Sequence, residues 1–222
     1  MNQNTSQDKN ITIRRSFKYR NLRLTVNKNG QVVLNIPLFC STRQAYAFLE
    51  QHHDWIQKQQ KKRTQKLTFS ANMHLSLLGQ DLQIRHIPNE HQYTHIQDNK
   101  LLVFGDERFI HRRIQDFIKT QTAFYIDKKA HELALSLNVK INKITMKDTT
   151  SRWGSCSGKN NLNFCWRLGL APLYVLDYII AHEVAHLKEM NHGPRFWKVV
   201  SELDNNRASA EIWLRRNGHE LR

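Results

Sequence analysis

The chain has 222 residues, 40% of them hydrophobic and 24% charged. That balance excludes an intrinsically disordered chain, and the length suffices for one large domain or two small ones. A formal net charge of +15 favours polyanionic partners: nucleic acid, nucleotides or an acidic surface.

No apolar run reaches the ~18 residues of a membrane span, because Asp177 splits the longest candidate, so no membrane segment is expected. The first twenty residues are polar and basic without an apolar core, so no secretory signal is expected either. Cys40, Cys156 and Cys165 form no paired framework. The expectation is free thiols in a reducing, cytoplasmic compartment. Charge is unevenly placed: residues 1–66 carry 13 Lys/Arg against 3 Asp/Glu, a net of +10, and residues 67–222 a net of +5. Any contact with a nucleotide or nucleic acid is therefore expected mainly in the basic N-terminal third and not at the histidine helix.

Taken in order, residues 1–10 lack periodicity. Leu22, Leu24 and Val26 alternate with polar residues, Asn29-Gly30 predicts a hairpin turn, and Val32 to Ile36 predicts the return strand, ended by Pro37. Ser41 or Thr42 should cap a helix running to about Arg63, with Phe48, Leu49, Trp55 and Ile56 facing a core. Lys58, Lys61, Lys62, Arg63 and Lys66 crowd its end, where cations suit the helix dipole. Residues 67–104 read as short strands, and 106 to about 137 as one long helix capped by Asp106. Strands are expected again from Val139, at Arg152–Cys156 and at Asn163–Leu168. Pro172 then opens a helix expected to end near Met190-Asn191, and two more helices follow Pro194 and Asn206. The predicted class is α+β: a β-rich N-terminal region with one helix over 1–104, then a core over 105–222 in which an antiparallel sheet packs on the histidine helix.

That helix carries the chemistry. In Ala181-His182-Glu183-Val184-Ala185-His186 the two histidines are four apart, so both imidazoles lie on one face and reach one ion. His192 follows beyond the helix end as a third ligand. Catalytic zinc takes three protein ligands and keeps one position for water. Three neutral imidazoles leave the ion its full charge, which brings the pKa of its water near neutrality. Glu183 is placed to take that proton and pass it to the leaving group. Tyr178, Arg152, Arg195 and His219 are candidates for the oxyanion side, and Glu189 for an outer partner of the histidines. The 152–156 strand is expected to border the cleft, where an edge strand can pair with an extended peptide. No local pattern arranges Cys156 with a histidine as a nucleophile.

The Arg152-Trp153-Gly154-Ser155-Cys156 strand, the Asn163–Arg167 return, Pro172, the Asp177–Leu187 helix and the Asn191-His192-Gly193-Pro194-Arg195-Phe196-Trp197 turn resemble the YgjP-like metallopeptidase family. This is a zincin-type group related to the SprT-like and WLM proteases. The resemblance covers nearly the whole chain and is most specific over its last 70 residues. It implies a zincin-like fold, metal ligands at His182, His186 and His192, and an acid/base at Glu183. Many members have Ser where Gly193 stands here, a departure that touches the helix cap and not the metal ligands.

The leading expectation is a zinc-dependent hydrolase that cleaves peptide or protein substrates. Two alternatives share the residues: a metal-dependent nucleotide or phosphoanhydride hydrolase, and a nucleic-acid-associated binding protein with a structural metal. An open coordination position separates the enzymes from the third, since structural zinc is closed.

Overall fold

The computed structural model describes residues 11–27, 30–64, 67–88, 90 and 92–221. It divides into two compact units, Met1–Lys66 and Leu67–Arg222.

The first unit is a small sheet with two helices. β1 (Ile11–Ser16), β2 (Arg23–Val26) and β3 (Val32–Pro37) lie in the order β1-β3-β2, with β3 parallel to β1 and antiparallel to β2. Alternation along β3 buries Val32, Leu34 and Ile36 and leaves Val33 and Asn35 half-buried, the period-2 pattern of a sheet with one core face. Gly30 adopts φ 77° in the turn; Asn29 of the expected Asn-Gly pair lies outside the described residues. Ser41 caps α1 (Thr42–Gln51) in a reciprocal capping box with Gln44.

The single helix expected to reach Arg63 is two. His52 leaves helical geometry (φ −108°, ψ 14°), its Nδ1 lies 2.9 Å from the Phe48 carbonyl, and α2 (His53–Thr64) begins afresh. The break shifts the phase of the apolar stripe. Ile56 is buried, but Trp55, expected in the core, is 41% exposed. Of the basic cluster at the helix end, Lys66 and the side chains of Lys61, Lys62 and Arg63 lie outside the described residues.

The second unit holds a four-stranded sheet, β4-β5-β7-β6, made of β4 (His74–Leu77), β5 (Gln80–Ile87), β6 (His95–Gln97) and β7 (Lys100–Phe104). Leu75, Leu82, Ile84 and Leu101 pack against Ile110, Ile114 and Ile118 of α3 (Ile110–Ser136). These strands and α3 therefore bury one shared core. The compact units divide at Lys66–Leu67 rather than near residue 104, because the 67–104 strands have their hydrophobic partner in α3.

The far half of α3 joins a second core with α4 (Leu173–Ala185), α5 (Pro194–Leu203), α6 (Arg207–Asn217) and a three-stranded sheet. That sheet is β8 (Lys143–Lys147), β9 (Gly154–Cys156) and β10 (Asn161–Cys165), in the order β8-β10-β9. The class is α+β as expected, but this sheet is mixed. β9 and β10 form the expected hairpin, whereas β8 runs parallel to β10 on its other side. The 148–153 segment must therefore cross the end of β10 to deliver β9 to the edge. α4 is buried on nearly every face from Val175 to Ala185, as befits a helix packed between a sheet and other helices. No described helix is long and apolar enough to cross a membrane.

Candidate metal centre

α4 ends earlier than its periodicity implies, at Ala185. His186 is its C-cap and keeps helical angles (φ −65°, ψ −19°), so it still stands one turn above His182. The chain then tightens: Leu187 N–H donates to Val184 O (3.0 Å) and Lys188 N–H to Ala185 O (3.1 Å), the i→i−3 pattern that closes a helix. Gly193 N–H donates to Asn191 O (2.7 Å), and Pro194 opens α5 at a position where a missing N–H costs nothing. Gly193 is the N-cap with no side-chain capping bond, and the turn beside it is formed all the same. This turn carries His192 back over α4.

The three histidines converge. One ligand atom from each of His182, His186 and His192 lies within 4.8 Å of the others, and the Nε2 atoms of His182 and His192 are 3.1 Å apart. Two nitrogens at about 2.0–2.1 Å from a tetrahedral zinc lie about 3.3 Å from each other, so the spacing suits one ion. His186 Nδ1 lies 3.2 Å from the Glu189 carbonyl, a bond that gives Nδ1 the proton and leaves Nε2 its lone pair. Glu189 therefore contributes its main chain, where its carboxylate was expected to act. Phe196, fully buried, stacks on His186 (centroids 4.5 Å apart, 29°) and meets His182 and His192 edge-on at 5.0 and 4.6 Å. Trp197 stacks on His192 (5.7 Å, 29°). The rings are thus held from the α5 side, while exposed His192 marks the side open to solvent.

Electrostatics prepare the rings as ligands. Burial pushes His182 down to about 4, with the charges of His186 and His192 adding to it, and burial lowers His186 too. Neutral imidazole is the form that binds metal.

Glu183 is 6% exposed, and burial pushes its carboxyl up to about 7 against the pull of Arg152. Its wall is the β9 backbone. A Cβ on Gly154 would stand 2.5 Å from Glu183 Oε1 and 2.6 Å from its Cγ, so only glycine admits the carboxylate there. A glycine inside a predicted strand is the sequence signal of such a close approach. On the same strand Cys156 is pushed up to about 11 by burial and then by Glu183. It is a thiol at neutral pH, which removes it as a nucleophile.

The remaining candidates separate. Tyr178 is 3% exposed and its hydroxyl donates to Glu211 Oε1 (2.9 Å), which also accepts from Arg207 Nε (3.0 Å). Tyr178 is thus a packing residue tied to α6 and unavailable to an oxyanion. Asp177 accepts from Tyr125 of α3 (2.7 Å). Arg152 is exposed and close enough to act on Glu183, whereas Arg195 and His219 are exposed without a place in the cluster. Among the described residues no other group of His, Cys, Asp or Glu has metal-holding geometry.

No curated protein matches the chain. Three chains of solved structures do. One is the crystal structure of the metallopeptidase zymogen of Methanocaldococcus jannaschii jannalysin, 27% identical, covering 41% of this chain and 92% of that chain, with a TM-score of 0.35. The model of the YgjP-like, metallopeptidase domain family matches residues 20–217. The match spans both compact units and nearly the whole sequence, so the chain belongs to the YgjP-like metallopeptidase family.

Proposed function

We propose that the protein is a zinc-dependent peptidase in which His182, His186 and His192 hold the metal and Glu183 is the general base and acid. The observation that carries this reading is the convergence of three imidazole ligand atoms within 4.8 Å, beside a carboxyl that is 6% exposed. Three neutral nitrogen donors with one side open match catalytic zinc in both donor type and number.

Zinc in that place supplies Lewis acidity, bringing the pKa of a water toward neutrality and drawing charge from a carbonyl oxygen. Glu183 follows the first histidine on the helix and packs against the β9 backbone at Gly154. It accepts the proton of the attacking water as the O–C bond forms. It then returns that proton to the amide nitrogen as the C–N bond breaks. Burial raises the Glu183 carboxyl above its ordinary value, the direction that suits a group that both takes and returns a proton. β9 is an edge strand among the described residues, and its free side can pair with an extended peptide, which would lay the scissile bond across Glu183.

Chelator-stripped and zinc-restored protein, incubated with an unfolded polypeptide and separately with nucleoside triphosphates, tests the assignment. Polypeptide cleavage that disappears with the chelator and returns with zinc is the expected result. Phosphate or pyrophosphate release without cleavage contradicts it.

Gly154→Ala gives a second check. The added methyl must displace the Glu183 carboxylate, so the peptidase rate should fall by at least about tenfold, since misplacement of about 1 Å can cost two orders of magnitude. Zinc content should stay that of the wild type, because the atoms nearest the added methyl all belong to Glu183 and not to a histidine of the cluster. An unchanged rate would show that the carboxylate needs no such seat.

A further inference from the structure

The β8–β10–β9 sheet has a second, polar face. Leu162 and Phe164 of β10 are buried in the core that contains α4, so by alternation Asn163 looks the other way. Ser155, its partner across the hairpin, looks the same way, and Asn163 Nδ2 donates to Ser155 Oγ (3.3 Å). Lys147 sits opposite Cys165 and shares that parity. The 148–153 segment folds over this face: Cys165 N–H donates to Trp153 O (2.8 Å) and Cys165 Sγ to Thr149 O (3.5 Å). Between segment and sheet lies a cleft of about 380 Å³ whose lining includes Lys147, Thr149, Ser151, Arg152, Ser155 and Asn163.

Its charge is one-sided. The acid of the segment, Asp148, is engaged by Arg167 and by Trp166 Nε1 (3.1 Å). Among the described residues no carboxylate lies within 4.0 Å of Lys147 or Arg152, although the Arg152 charge also acts on Glu183. The cleft therefore presents two cations beside hydroxyl and amide groups on a floor that also includes Trp153, Phe164 and Cys165, and its lining includes no carboxylate.

Strand geometry links this cleft to the reaction. A peptide added to β9 alternates its side chains. Those opposite Gly154 and Cys156 face α4 and Glu183, and the one opposite Ser155 faces the cleft. We infer that the cleft is a subsite for an acidic side chain of a peptide substrate, one residue removed from those directed at Glu183, with Lys147 and Arg152 as its counter-charges. The inference rests on the peptidase reading above and adds a substrate class to it: acidic extended peptides.

The test uses a set of extended peptides in which a single Glu or Lys is moved along an otherwise neutral sequence. Cleavage by zinc-loaded protein and binding to the Glu183→Gln variant are both measured. At one position Glu should be preferred over Lys by on the order of tenfold in kcat/KM, the sum of two partly exposed ion pairs. The preference should shrink as ionic strength rises to about 0.5 M. Lys147→Glu should diminish the Glu:Lys ratio, and Lys147→Glu with Arg152→Glu should invert it. The ratio is read within each protein, so a loss of folded material does not imitate the effect. Equal cleavage of Glu and Lys peptides at every position overturns the subsite and leaves the peptidase reading standing. Charge-selective binding by the Glu183→Gln variant with no cleavage by the wild type supports the subsite and overturns the peptidase chemistry. Neither cleavage nor selective binding overturns both.

Discussion

Glu183→Gln should lower peptide hydrolysis by about 10²–10⁴-fold, the usual contribution of a positioned acid/base. The substitution keeps shape and volume, so it tests proton transfer with little disturbance of packing. That separation matters here because Glu183 is 6% exposed and the β9 backbone presses against it. A smaller residue would leave a cavity beside Gly154, and a larger one would not fit. The fold should persist, since glutamine removes a carboxyl that burial already disfavours in its charged form. Zinc content should persist as well, because the carboxylate lies outside the histidine cluster. The measurements are kcat/KM on a fluorogenic peptide and zinc per chain in the same preparation. Retained activity with retained zinc would remove Glu183 from the mechanism.

His186→Ala should weaken zinc binding by more than about 100-fold, beyond the 10- to 100-fold that loss of an outer partner costs. His186 is a ligand whose geometry is set from two sides. Its Nδ1 bond to the Glu189 carbonyl orients the ring, and Phe196 stacks on its face. The remaining pair, His182 and His192, would keep only two donors. In the wild type, saturating zinc at about 1,000 times Kd should stabilise the fold by about 4 kcal/mol, so the melting temperature should rise with zinc and fall with chelator. In His186→Ala at the same zinc concentration that response should shrink to about 1.4 kcal/mol or less, while the metal-free melting temperature moves only by the cost of the lost packing. Chelator competition and thermal melts with and without zinc read the two effects apart. A zinc-dependent rise as large in the variant as in the wild type would place the metal elsewhere.

The helix face shared by His182 and His186 and the turn that returns His192 are legible in the sequence because short-range geometry governs them. Two histidines four apart share a helix face whatever surrounds them, and His182 and His186 do so even though α4 ends at Ala185. Gly193-Pro194 announces a turn into a new helix, and that turn is what returns His192. Ser41 with Gln44 forms its capping box from four consecutive residues. The features that escaped depend on distant partners. The apolar stripe through Phe48, Leu49, Trp55 and Ile56 presumed an unbroken helix, and the departure at His52 put Trp55 out of phase. The core that the 67–104 strands share with α3, Leu82 and Ile84 against Ile114 and Ile118, joins residues far apart in the chain and has no local signature. The parallel placement of β8 beside β10 has no local signature. Without it neither the edge position of β9 nor the cleft beneath the 148–153 segment can be inferred. Gly154 carried a readable signal, a glycine within a strand, but its meaning required knowing which side chain approached it.

Anomalous scattering at the zinc edge, from crystals of zinc-replete protein whose metal content has been measured, tests the assignment most directly. One zinc per chain should appear about 2.0–2.1 Å from one nitrogen each of His182, His186 and His192, with a position left to solvent. A vacant histidine cluster under zinc-replete conditions, or a fourth protein ligand closing the coordination, would contradict a catalytic metal there.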